Sequence, residues 1–158
     1  MRKAAIAVAV LLCTAMPLSQ SHRDGTVGAS PENQELINIT VHETWEMLNN
    51  ESDGREVVVD VRTFGEYYEE RIATPHWYDK PILYPLQLIQ TALFRNLFIK
   101  LFHGQEVILY CRSANRSCIG GNLLVDSGFE GTLYNMVGGI IAWKAASLPT
   151  VKGLGFGS

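Results

Sequence analysis

Val107-Ile108-Leu109-Tyr110-Cys111-Arg112-Ser113-Ala114-Asn115-Arg116-Ser117-Cys118-Ile119-Gly120-Gly121-Asn122-Leu123-Leu124 reads as strand, polar loop and helix in succession. Glu106 to Tyr110 predicts a strand, with four strand-forming residues from Val107 onward, and the spacing predicts a helix from Ser117 to Gly128. Cys111 stands where the strand ends and the loop begins. A thiol at that point faces loop N–H groups and the positive end of a helix. Both favour an anion, so both lower the thiol pKa and raise the share of nucleophilic thiolate. Cys111 is therefore the candidate catalytic nucleophile.

The flanking segments repeat the alternation. Leu36 to Thr40 predicts a short strand, and Thr40 with Glu43 forms a capping-box pattern opening a helix over Val41 to Leu48. Glu56 to Val61 predicts a strand buried on both faces. Thr63 and Glu66 form a second capping box, for a helix ending near Glu70. Residues 72–81 carry two prolines and no period, and predict a loop. After a short strand at Ile82 to Tyr84, one long buried helix is expected from Leu86 to Phe102. Leu86, Ile89, Leu93, Leu97 and Leu101 lie at helical spacing, with Phe94, Phe98 and Phe102 widening the face. Thr132 to Tyr134 predicts another strand, and Ile140 to Ala146 a final helix. Alternating strands and helices imply an α/β fold, a parallel sheet of about five strands with helices on both faces. In such folds ligands bind beyond the carboxyl ends of strands, where Cys111 stands.

The chain has 158 residues, 47% of them hydrophobic and 18% charged, which suits one domain with a sizeable core. Its formal charge is −3 and its pI about 5.8, with no basic stripe, so a nucleic-acid partner is set aside. Residues 1–21 read as a secretory signal: Arg2 and Lys3, an apolar stretch from Ala4 to Met16, Pro17, then Ser19-Gln20-Ser21 before a cleavage point. The apolar stretch is short for a spanning helix, so membrane anchoring is not expected. The reading implies export, to a periplasm or outside the cell. Residues 22–35 read as a flexible leader, 36–150 as the domain, and 151–158 as a loose tail. Removal of residues 1–21 leaves two cysteines, Cys111 and Cys118, in an oxidising compartment. Cys118 reads either as a small buried residue or as a resolving thiol for Cys111. The pair is too sparse for a zinc site, and no metal is expected.

Three segments together resemble the rhodanese family of sulfurtransferases, over about residues 36–149. They are Val57-Val58-Val59-Asp60-Val61-Arg62-Thr63-Phe64-Gly65-Glu66-Tyr67, the loop Tyr110 to Ser117, and Asn135-Met136-Val137-Gly138-Gly139-Ile140-Ile141-Ala142-Trp143-Lys144 with Leu148-Pro149 behind. The resemblance implies sulfur transfer in two displacements. Cys111 takes the outer sulfur of a donor such as thiosulfate, becomes a persulfide, and passes the sulfur to cyanide, a small thiol or a protein thiol. No cofactor is implied. The N–H groups of Arg112, Ser113, Ala114, Asn115, Arg116 and Ser117 are the expected anion cradle. Arg112 and Arg116 read either as donor-attracting charges or as partners of an acid that hold the loop. Asp60 and Arg62 read as a supporting ion pair, Glu66 as a helix cap, Trp143 as core, and Gly138 and Gly139 as a tight turn.

Relatives of this type carry Gly-His-Ile and a Pro-Gly-Ala-like turn after the capped helix. Here Glu70-Arg71-Ile72-Ala73-Thr74-Pro75-His76-Trp77 stands instead, in a longer, more aromatic segment. Two rival readings remain at this level. A phosphatase on the same fold places its Arg six positions after the Cys, whereas Arg116 comes five after Cys111. A non-catalytic binding module of the same fold is the other.

Overall fold

The computed structural model describes residues 35–50 and 56–153. The signal and leader readings, and residues 154–158 of the tail, lie outside the described residues. Among those described, no helix is long and apolar enough to cross a membrane.

The alternation builds a five-stranded, all-parallel sheet in the order β1-β6-β5-β2-β4. These strands are β1 (Leu36–Ile39), β2 (Val57–Asp60), β4 (Ile82–Leu83), β5 (Gln105–Tyr110) and β6 (Gly131–Met136). Because side chains alternate across a strand, each central strand feeds two cores. Val59, Val107, Leu109 and Leu133 face one side, and Val58, Ile108, Tyr110 and Met136 the other. The first side is covered by α3 (Leu86–Gln90), α4 (Ala92–Leu101) and α5 (Asn115–Asp126), through Ile89, Phe98 and Leu124. The second is covered by α1 (Val41–Asn49) and α6 (Gly139–Ala145), through Val41, Leu48, Ile140 and Trp143. Trp143 is fully buried and donates its indole N–H to the Pro149 carbonyl at 2.7 Å.

Both capping boxes form. The Thr40 hydroxyl accepts from the Glu43 N–H at 3.2 Å, and Glu43 accepts from the Thr40 N–H at 2.7 Å. The same exchange between Thr63 and Glu66 opens α2 (Phe64–Glu69). Each ties off orphan donors in the first helical turn.

Three expectations need correction. The single helix over residues 86–102 is two helices, broken at Thr91, whose backbone is extended at φ −87°, ψ 120°. The Thr91 hydroxyl bonds back to the Gln87 carbonyl, and Arg95 Nη1 takes the carbonyls of Ile89 and Gln90. Those bonds satisfy the groups that the break exposes. The two helices then differ in phase, so Phe98 is buried against Tyr84, Phe102 and Phe129 while Leu93 is 73% exposed. Leu97 and Leu101 are exposed with it. β3 (Arg71–Ile72) runs into the segment expected as loop, which also holds a 3-10 turn over Trp77–Asp79. The tail is not loose as far as Gly153. β7 (Thr150–Val151) pairs antiparallel with β3, and the Gly153 carbonyl accepts from Arg71 Nη1 at 2.6 Å.

Candidate active site

β2 and β5 lie side by side with Asp60 opposite Tyr110, so the segments leaving both strands emerge at one edge of the sheet. Cys111 follows Tyr110 there, and Arg62 follows Asp60. Between Cys111 and α5 the chain turns back on itself through Ala114, a non-glycine residue in the left-handed region at φ 73°. Such a conformation costs about 1–2 kcal/mol. It makes α5 begin at Asn115, earlier than the Ser117 start read from the sequence. Arg116 and Ser117 thereby become first-turn residues, whose N–H groups lack helical partners.

Those N–H groups point at the cysteine. Cys111 is 1% exposed, and burial pushes its thiol pKa up. The N–H and hydroxyl of Ser117 and the N–H groups of Ser113 and Arg116 pull it down, and the net direction is down. The thiol is thus surrounded by the apolar core yet held by donors suited to an anion. Of the six expected cradle residues, Ser113, Arg116 and Ser117 act on the sulfur. Ala114 serves as the turn, and Asn115 is an exposed first helical residue.

The loop is fixed from behind by α6. The Ile140 N–H donates to the Cys111 carbonyl at 2.9 Å, and the Ile141 N–H to the Arg112 carbonyl at 3.2 Å. This requires close approach. A Cβ on Gly139 would stand 2.3 Å from the Cys111 carbonyl oxygen, and Gly139 itself sits at φ 57°. The glycine pair is therefore more than a tight turn: it lets a helix start press against the loop.

The two loop arginines part company. Arg116 forms a two-pronged ion pair with Glu66, of which the sequence shows only the capping role. Arg116 holds the Glu66 carboxyl down to about 2, and the Thr63 bonds act in the same direction against burial. Arg112 is exposed and, among the described residues, joins no ion pair. Arg62 and Asp60 form the buried pair read from the sequence, at 2.6 Å, and Arg62 also donates to the Glu70 carbonyl. Cys118 is half-buried and free, with Asn122 Nδ2 3.5 Å from its sulfur. Among the described residues, no group of three or more His, Cys, Asp or Glu could hold a metal ion.

Sequence reading missed one participant. Asn135 on β6 is buried, and its Oδ1 lies 2.7 Å from the Ser117 hydroxyl. Strand alternation places Asn135 on the same face as Leu133, which was the available signal: an amide on an otherwise apolar face.

A cleft of about 420 Å³ opens beside the loop, lined by Arg62, Glu66, Glu69, Glu70, Arg112, Ile140, Ile141 and Lys144. A slightly larger one, about 450 Å³, lies at the amino ends of β2 and β5, near Glu56 and Gln105. The former is the one beside the candidate site, because Cys111 and the open start of α5 lie at the carboxyl ends of the strands.

Residues 40–146 match the family model described as a rhodanese-like domain. The chain is 36% identical over 96 residues to an uncharacterised protein of Synechocystis, covering 61% of this chain and 47% of that one. It is 30% identical over 95 residues to a protein named sulfurtransferase from Allochromatium vinosum, covering 60% of this chain and 78% of that one. In structure it is similar to a thiosulfate sulfurtransferase from Pseudomonas aeruginosa, with a TM-score of 0.58 and 23% identity over 75% of this chain and 20% of that one. The chain thus spans about half the length of the Synechocystis relative and a fifth of the Pseudomonas enzyme. Because the family model matches more than half of the sequence, the chain belongs to the rhodanese-like domain family.

Proposed function

We propose that this protein is a sulfurtransferase that works through a persulfide on Cys111. The observation that carries the reading is the convergence of the Ser113, Arg116 and Ser117 N–H groups on one sulfur. Such a bowl of donors stabilises a negative sulfur without needing a counter-charge. In the first displacement the Cys111 thiolate attacks the outer sulfur of thiosulfate. A new S–S bond forms, the old one breaks, and sulfite leaves with the bonding pair. In the second, cyanide or a thiolate attacks the terminal sulfur and returns the electron pair to Cys111. The exposed guanidinium of Arg112 at the cleft supports an anionic donor. Export follows from the reading of residues 1–21 and is part of the proposal.

The test is thiosulfate:cyanide turnover by the wild-type chain beside Cys111→Ser. Activity in the first and near-total loss in the second are expected; equal rates would place the chemistry elsewhere. A second reading, a binding module without turnover, is favoured by one observation, the 1% exposure of the Cys111 side chain. Mass spectrometry after thiosulfate treatment separates the two. One sulfur atom added at Cys111 supports the enzyme, and an unmodified cysteine supports the module.

A further inference from the structure

Asn38 and Asn135 are out of place. They sit opposite each other in the β1–β6 register, on the side of the sheet that also carries Leu36, Leu133 and Leu109. Asparagine is depleted in strands, and a buried amide needs partners. Asn135 finds them on both sides. Its Nδ2 donates to Asn38 Oδ1 at 2.8 Å, and its Oδ1 lies 2.7 Å from Ser117 Oγ. That same hydroxyl lies 3.2 Å from the Ala114 carbonyl and 3.6 Å from Cys111 Sγ.

A hydroxyl owns one hydrogen, so Ser117 donates to only one of these at a time. Asn135 Oδ1 is the nearest acceptor. With the hydrogen there, a Ser117 lone pair faces the sulfur and accepts the thiol hydrogen of Cys111. When Cys111 ionises, the hydroxyl swings round and donates to the thiolate. Asn135 Oδ1 then loses its donor inside a buried site, which costs free energy. Asn38 opposes the easy escape. Its Oδ1 accepts from Asn135 Nδ2, so turning the Asn135 NH₂ group to the Ser117 lone pair breaks that bond unless the Asn38 amide turns as well.

We propose that Asn135, oriented by Asn38, is a positioning residue that draws the Ser117 hydrogen away from Cys111 and releases it only when the sulfur becomes an anion. The pair serves the sulfur relay proposed above, although its test reads the thiolate itself. In the persulfide the charge moves to the outer sulfur, Sγ becomes neutral, and the hydroxyl returns to Asn135. Each state keeps its buried donors satisfied in turn, with no proton gained or lost by the asparagines. Of the other charged groups near the sulfur, Arg116 pairs with Glu66 and Arg62 with Asp60, Arg112 stands exposed at the cleft and is the same in every variant compared below, and α6 presents the main-chain N–H groups of Ile140 and Ile141.

The experiment is titration of the Cys111 thiolate by its ultraviolet absorbance, using the full chain with Cys13→Ser and Cys118→Ser as background. Asn135→Leu removes the competing acceptor, and the midpoint is expected to fall by about one pH unit. Asn38→Ala frees the amide to turn, and a smaller fall is expected. Ser117→Ala raises the midpoint, and adding Asn135→Leu to it leaves the value where Ser117→Ala put it. The exposed edge position of Asn38 keeps the proposal testable if Asn135→Leu does not fold. Unchanged or raised midpoints in both asparagine variants would overturn the proposal. So would an undiminished Asn135→Leu shift in the Ser117→Ala background. Absence of sulfur transfer with these shifts intact would count against the sulfurtransferase reading alone.

Discussion

Arg116 reaches from the active loop to close a two-pronged ion pair on Glu66, with Nη1 2.7 Å from Oε2 and Nη2 2.6 Å from Oε1. Glu66 is at the same time the capping residue of α2, accepting from the Thr63 N–H and hydroxyl. One carboxylate therefore ties the helix after β2 to the loop after β5. The planar fork of arginine suits this double engagement, which a lysine would not reproduce.

Glu66→Gln is expected to cost about 1 kcal/mol of stability, since the pair is only partly buried. The wild type should also show the linkage in acid. A carboxyl held at about 2, below its ordinary 4.5, stabilises the fold above the ordinary value. That contribution is lost as pH falls from about 4.5 towards about 2. Urea midpoints measured down this range should decline more steeply in the wild type than in Glu66→Gln.

Arg112→Ala should act on donor capture. The exposed guanidinium joins no ion pair among the described residues, so removing it leaves no buried charge stranded. The KM for thiosulfate is expected to rise about ten-fold with kcat within about two-fold, the pattern of lost ground-state binding. Added salt should raise the wild-type KM and leave the variant nearly unmoved. Steady-state kinetics at two ionic strengths decides it.

Gly139→Ala should break the loop from behind. The added Cβ would meet the Cys111 carbonyl oxygen at 2.3 Å and the Arg112 carbonyl carbon at 2.6 Å, both backbone atoms that cannot turn aside. A loss of about 3 kcal/mol or more is expected, with persulfide formation lost alongside. Gly65→Ala is the contrast. It lies in α2 with nothing within 4 Å of a new Cβ, and should stabilise by about 0.5–1 kcal/mol. Chemical denaturation of both variants provides the comparison.

Neighbouring residues on α4 should differ sharply. Phe98 is fully buried between Tyr84, Phe102 and Phe129, and Phe98→Ala should cost about 3–5 kcal/mol. Leu97 is 45% exposed, and Leu97→Ala should cost less than about 1 kcal/mol. Similar losses from both would mean that the outer face of α4 is covered in solution.

The apolar run before Cys111 and the β-branched run before Asp60 announced parallel strands on their own, because strands buried on both faces have no polar alternation to keep. The Thr40–Glu43 and Thr63–Glu66 boxes were equally legible, since both partners lie within one helical turn. The break within Leu86 to Phe102 is hidden for a local reason as well. A leucine row counts the period and does not register the Thr91 break, which depends on Arg95 folding back onto the Ile89 and Gln90 carbonyls.

The sequence by itself determined the fold class, the cysteine at a strand end, and the family resemblance, all of which rest on patterns spanning a few neighbouring residues. Tertiary structure alone decided which arginine holds the loop and which stands open, how closely Gly139 approaches Cys111, and that Asn135 bridges Asn38 and Ser117. Those relationships join segments up to 97 positions apart, as from Asn38 to Asn135. A hydrogen bond or a steric contact is set by distances of a few ångströms, and distances across such separations exist only once the sheet has brought its strands into register.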